Sequence, residues 1–204
     1  MGVPRTYRKS VEKAIASYDF TDIANGEGVV VYYGCKNDDK FFLTSKEMPS
    51  KLAWTYGTAS GEMFNEDMDL VFNRPQRIKG NLIASIPLLY ISGSSKEFTA
   101  VITISHFDGS SATQIGQETG TTITGSATLP HPSRILCIEI ADLNQHFKKG
   151  ESLRINVTIS SSGGVDGSGR YVGHDPIGRS GDGSSENEIL ETKMRFYVPF
   201  DLDL

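Results

Sequence analysis

The chain has 204 residues, a length that a single all-β domain commonly reaches. With 38% hydrophobic and 22% charged residues it carries enough apolar surface to fold, which excludes an intrinsically disordered protein. The formal net charge of −5 opposes non-specific attraction to nucleic acid or an anionic membrane, because both call for a basic footprint. No apolar run reaches the roughly 18 residues of a membrane span.

The first predicted element is a helix. In PRTYRKSVEKAIASYDF, Tyr7, Val11, Ala14, Ile15 and Tyr18 recur at helical spacing, and Arg8, Lys9, Glu12 and Lys13 take the other face. Pro4 suits a helix start, and Asn25-Gly26 with Gly28 stops the pattern. Residues 1–26 therefore read as a helical arm, which needs a docking surface on its own β-domain or on a neighbouring subunit. The segment MGVPRTYRKSVEK lacks the apolar core of a signal peptide, so synthesis in the cytoplasm is expected.

From Gly28 onward the apolar period changes to two. Residues 29–34, VVVYYG, and 40–45, KFFLTS, flank the turn formers Asn37, Asp38 and Asp39 and read as a hairpin. Further short runs follow, rich in Val, Ile, Thr, Tyr and Phe and separated by turns such as NRPQ, DGSS and FKKGES. In the segment after Gly150, Leu153, Ile155, Val157 and Ile159 alternate with Arg154, Asn156 and Thr158. Near the end Met194, Phe196, Val198 and Phe200 alternate with Lys193, Arg195 and Tyr197, and Pro199 suggests an edge or a strand end. The expected fold is all-β: an antiparallel β-sandwich, jelly-roll-like, of about eight to ten strands behind a short N-terminal helix. Residues 27–204 form its single domain, with a Gly-rich loop at 160–188.

That loop, SSSGGVDGSGRYVGHDPIGRSGDGSSENE, combines glycines, acids and a His-Asp-Pro triplet. Its glycines lack the Gly-Lys-Ser/Thr ending of a phosphate loop. Asp166, Asp175, Asp182, Glu186 and Glu188 offer oxygens to a structural calcium ion, but not in the alternating order of an EF-hand, so calcium is the minority reading and no cofactor is expected. Of the four histidines, His131 and His146 read as exposed loop residues, and none of the four has metal-ligand spacing. There is no Gly-x-Ser-x-Gly elbow, so no catalytic residue is assigned and a non-enzymatic chain is expected. Cys35 and Cys137 lie in apolar runs without a C-x-x-C pattern and read as buried, unpaired thiols. Trp54 with Tyr56, or Tyr32 with Tyr33, offers an aromatic platform for carbohydrate, although the single tryptophan is weighed towards the core.

The N-terminal helix, the succession of strands, GRYVGHDPIGRS and the closing TKMRFYVPFDLDL together resemble small jelly-roll structural proteins of tailed bacteriophages, of the capsid decoration, cement or head-fibre type. The resemblance implies a homo-oligomeric virion protein, made in the bacterial host cytoplasm, whose partners are other virion proteins and above all the major capsid protein. It implies contacts rather than chemistry, with neither nucleic acid nor membrane as partner. On this reading Tyr7, Val11, Ile15 and Tyr18 of the helix, with Arg170, Tyr171, His174 and Arg179 of the loop, face neighbouring subunits. The alternative is a carbohydrate-binding or receptor-binding β-sandwich module.

Overall fold

The structure is a computed structural model that describes residues 16–17, 27–38, 40–57, 61–90, 96–125, 133–162, 170–178 and 192–201. Among these residues there are thirteen strands and no helix: β1 (Ala16–Ser17), β2 (Glu27–Asn37), β3 (Lys40–Thr44), β4 (Trp54–Gly57), β5 (Gly61–Val71), β6 (Gln76–Tyr90), β7 (Lys96–Phe107), β8 (Ala112–Thr119), β9 (Ile123–Gly125), β10 (Ser133–Phe147), β11 (Ser152–Ser162), β12 (Arg170–Gly173) and β13 (Arg195–Asp201).

The all-β expectation holds, but its details are corrected. The strands form one 13-stranded sheet in the order β4-β12-β6-β13-β2-β3-β5-β11-β7-β8, with β1 on β2, β10 on β6 and β9 on β7. It is mixed rather than a clear antiparallel sandwich, since β3 meets β5 in parallel through the single pair Phe42 and Asp69. Turn spacing undercounts the strands because long ones serve several partners. β6 pairs with β10 on one edge, and with β13 and then β12 on the other. The predicted helix is corrected where it can be seen: Ala16 and Ser17 are a short strand opposite Val30 and Val29. The free edge of β2 there offers backbone donors and acceptors that an isolated helix turn cannot use. Tyr7, Val11, Ile15 and Tyr18 lie outside the described residues.

Alternation places the core. In β11, Leu153, Ile155, Val157 and Ile159 are fully buried as the pattern predicts, while Arg154, Asn156 and Thr158 face outwards. β11 is paired along its length with β5 and with β7, so its backbone is satisfied on both edges. Ile78, Leu82, Ala84, Ile86 and Leu88 of β6 and Met194, Phe196, Val198 and Phe200 beside or within β13 join the same cluster. Each fully buried Ile, Leu or Phe contributes about 1.5–3 kcal/mol relative to exposure. Pro199 is not at an edge, since β13 runs between β2 and β6. The register with β6 breaks between Tyr197 and Asp201, which accommodates a residue with no N–H to give.

The two ends of the sheet meet at β8 and β10. Gly116 of β8 lies so close to β10 that a Cβ there would come within 2.8 Å of Ile140 Cγ2 and Leu143 Cδ2. A side chain would wedge the closure apart. We therefore expect Gly116→Val to lower stability by about 1–3 kcal/mol, as overpacked cores do. Urea denaturation measures it, and an unchanged midpoint would show that β8 and β10 have slack between them.

Candidate functional site

The residues of mixed chemistry that the fold brings together are Ser50, Thr55, His174 and Asp175. They arrive from two distant parts of the chain. Ser50 lies on the connection between β3 and β4, Thr55 is in β4, and His174 and Asp175 directly follow β12, which pairs with β4. Gly173 makes the approach possible: a Cβ there would lie 2.8 Å from the Thr192 Cα and 2.9 Å from the Pro87 ring. The backbone fixes the pair further. The His174 N–H donates to the Ala53 carbonyl (3.0 Å), the Asp175 N–H to the Thr192 carbonyl (2.9 Å), and the Gly178 N–H to the Asp175 carbonyl (2.9 Å), closing a turn through Pro176 and Ile177. GHDP is thus a turn, as the sequence suggests, but a sealed one.

All three groups of this Ser-His-Asp set are buried, with Ser50 3% exposed and His174 and Asp175 0%. Ser50 Oγ accepts the Lys36 N–H (2.9 Å), donates to the Lys36 carbonyl (3.1 Å) and stands 3.3 Å from His174 Nδ1. His174 Nε2 is 3.0 Å from the Thr55 hydroxyl. With the serine proton given to the Lys36 carbonyl, the network assigns the ring hydrogen to Nδ1, and Nε2 accepts from Thr55. The Asp175 carboxylate accepts the Ser50 N–H at 3.0 Å. In a nucleophile triad the carboxylate holds the ring nitrogen remote from the serine; here that nitrogen faces Thr55. The imidazole packs edge-on against Phe41, 4.9 Å between centroids. Burial pushes its pKa down to about 4, so the ring is neutral at pH 7 and resists taking up a proton.

The other sequence-predicted positions scatter. Arg170 is in β12, and Tyr171 is half-buried against Trp54, which is itself half-buried and not sealed in the core. His174, expected at a partner interface, is interior. Arg179 lies outside the described residues, as do His131 and the calcium candidates Asp166, Asp182, Glu186 and Glu188. Among the described residues no group of three His, Cys, Asp or Glu is arranged to hold a metal ion. His146 is exposed but in β10, and His106, half-buried, bonds Glu151 at 2.8 Å. Cys35 is buried as expected; Cys137 is exposed because it sits on the outward side of β10. Tyr33 is buried and Tyr32 packs against Phe200, so neither offers an open platform.

A second feature was not read from the sequence. The outward face of β10, β6, β13 and β2 carries an apolar strip. Register aligns Ile83, Tyr197 and Val31 in one row that meets Glu139 on β10, with Val29 next to Val31 on β2; Cys137 and Ile135 lie further along β10, opposite Ser85 and Pro87. Ile135 is 47% exposed, Ile83 41% and Val29 37%.

Neither a family model nor a curated protein matches the chain. Solved structures share its fold. Two structures of a CocE/NonD family hydrolase from Staphylococcus aureus align with TM-scores of 0.54 and 0.52 at 11% and 12% identity, covering 86% and 85% of this chain and 37% of that one. An aminopeptidase from the marine sediment archaeon Thaumarchaeota archaeon aligns at 0.52 with 10% identity, over 86% of this chain and 37% of its own. This chain thus spans little more than a third of the proteins whose fold it shares. Infectious bursal disease virus, Gx strain, aligns with a TM-score of only 0.26, too low to carry an argument for the virion expectation. The expectation of a non-enzymatic chain is corrected by these findings: the fold occurs within hydrolases, and Ser50, which the sequence does not single out, meets His174 and Asp175 in space.

Two outcomes follow from the buried set. An unfolded histidine takes up its proton near 6.5 and His174 only near 4, so the unfolded state binds more protons across that interval. Stability is expected to fall by roughly 3 kcal/mol as pH drops from 6.5 to 4. The loss should be absent from His174→Gln in paired urea titrations, and equal slopes in the two proteins would refute it. Ser50→Ala leaves the Lys36 amide without its hydroxyl partner and should cost about 1–3 kcal/mol at pH 7, read from the same titrations.

Proposed function

We propose that the chain is an assembly domain that docks on a neighbouring protein subunit through the outward face of β10, β6, β13 and β2. The observation that carries this reading is the row of Ile83, Tyr197 and Val31 with exposed Val29 beside it, bounded by Glu139 on β10, and exposed Ile135 further along that strand. Contiguous exposed apolar surface on a folded domain marks an interaction site. The sequence resemblance supplies the setting: a jelly-roll-type protein on a phage capsid, bound to the capsid protein and to its own copies. The fold supports such a role, since a sheet closed at β8 and β10 presents a stiff face whose ordering costs little on docking. The test is recovery of the chain with purified phage particles. Ile83→Lys combined with Ile135→Lys is expected to abolish stoichiometric recovery and leave the melting temperature within a few degrees, because both side chains are already exposed. Undiminished recovery of the double variant would sink the docking face, and absence of the wild-type chain from particles would sink the virion setting.

A second reading, hydrolysis, is favoured by the fold comparisons and by the meeting of Ser50, His174 and Asp175. It requires the segments sealing the set to open and the ring to present a free nitrogen to the serine, since Ser50 is 3% exposed. Release of p-nitrophenol from p-nitrophenyl acetate, or of p-nitroaniline from aminoacyl p-nitroanilides, by the wild type and not by Ser50→Ala would support it. Equal rates in the two proteins would remove it.

A further inference from the structure

The corner where β4 and β12 meet carries an inference that rests on neither reading of function. It is held to the core by polar bonds rather than by apolar burial. In the connection 45–53 only Ser50 is buried, while Met48 and Leu52 point to solvent. Trp54, Thr55 and Gly57 of β4 are half-buried, and β12 is the strand that β4 pairs with among the described residues. β12 itself reaches β6 through only Arg170, Tyr171 and Val172. On the other side of the corner, β3 and β5 share the single pair Phe42 and Asp69.

His174 spans that thin seam. Phe41 of β3 packs edge-on against its ring, and Phe64 of β5 lies tilted to it with centroids 6.4 Å apart. Its Nε2 meets the Thr55 hydroxyl of β4, its Nδ1 the Ser50 hydroxyl, and its N–H donates to the Ala53 carbonyl. The next carboxylate, Asp175, accepts the Ser50 N–H. One buried ring therefore joins β3, β5, β4 and the connection between β3 and β4. Both ring nitrogens are taken by hydroxyls, which suits a neutral imidazole and gives an imidazolium no anion to bond. Of the charges that face the ring, Asp175 on its own turn favours a proton and Lys36 of β2 opposes one; β3, β4 and β5 bring phenyl rings and a hydroxyl. At the rim, Glu47 bonds Lys193 at 2.8 Å, which holds its carboxyl below the ordinary 4.5 and keeps it charged at pH 5.

We propose that His174 is a proton-operated bolt: uptake of one proton releases the connection 45–53 with β4 and the turn 174–178 and parts β3 from β5, while the strands packed around β6 and β11 stay folded. The enclosed ring takes its proton only near 4, whereas a released one takes it near the ordinary 6.5. The open form thus binds more protons between those values, and falling pH favours it across that interval. The opening is local because the released segments bury little apolar surface of their own.

Hydrogen–deuterium exchange of the full chain at pH 7 and pH 5, corrected for the chemical rate at each pH, tests the bolt segment by segment. Peptides covering 46–57 and 170–178 are expected to be less protected than those covering 153–159 of β11 at both pH values. Between pH 7 and pH 5 their protection should fall about twentyfold, the factor that one group titrating near 6.5 when open and near 4 when closed produces. His174→Gln should remove that fall. Equal protection of the corner and β11 would show that the corner opens only with the whole molecule, and would overturn the proposal. So would unchanged protection of the wild-type corner between the two pH values, or a fall that persists in His174→Gln. The comparisons between segments and between pH values need only the wild type, so they decide the matter even where the variant does not fold. Urea titration reads the global transition and particle recovery reads the docking face, so each idea fails on its own measurement.

Discussion

The structure depends on one long strand being paired on both edges. β6 runs from Gln76 to Tyr90, giving one edge to β10 and the other to β13 and β12. Its inward residues Ile78, Leu82, Ala84, Ile86 and Leu88 are at most 2% exposed, so the strand cannot slip by one residue without turning this set to solvent. Everything else inherits its register. β13 is placed beside β6 and sets β2; β12 is placed beside the far end of β6 and sets β4. The approach of His174 to Ser50 and Thr55 follows from that second relay, because β12 and β4 carry the two sides of the contact.

Much of this was legible in the sequence wherever local pattern and burial coincide. The alternation from Leu153 to Ile159 and from Met194 to Phe200 gave the right strands with the right faces, and Asn37 with Asp38 gave the turn of the first hairpin. What pattern could not supply was pairing between distant elements. Nothing in the residues from Lys40 to Thr44 announces a parallel contact with Asp69, because a strand of five residues looks the same in either direction. For a similar reason the sequence places His174 in a loop available to a partner. Its neighbours in sequence are turn formers, and the groups that enclose it come from Ser50, Thr55, Phe41 and Phe64. One cue for its burial was present: the glycine before it, whose Cβ position is filled by Thr192 and Pro87. Ala16 and Ser17 teach the converse, since a helical period there yields to the open edge of β2.

The two outward sides of the sheet differ in chemistry. Over β5, β11, β7 and β8, polar side chains tie to one another: Arg154 to Asp69, Asn156 to Asn65 and Asp67, Gln117 to Thr103. Such a face is well satisfied by its own bonds and by water, and gains little from covering by protein. Over β10, β6, β13 and β2 polar ties such as Asn81 to Glu139 and Arg77 to Asn144 are joined by a row of Ile83, Tyr197 and Val31.

The single pair joining β3 to β5 has a mechanical meaning as well. A sheet resists shear through its ladder of backbone bonds, and along this line the ladder is reduced to one rung. On the other side, β8 and β10 are held by interlocked side chains around Gly116. The two halves of the sheet are therefore coupled on one flank by packing and on the other by almost no backbone at all. Opening of the molecule short of global unfolding would begin along the β3–β5 line before disturbing the core beneath β6 and β11.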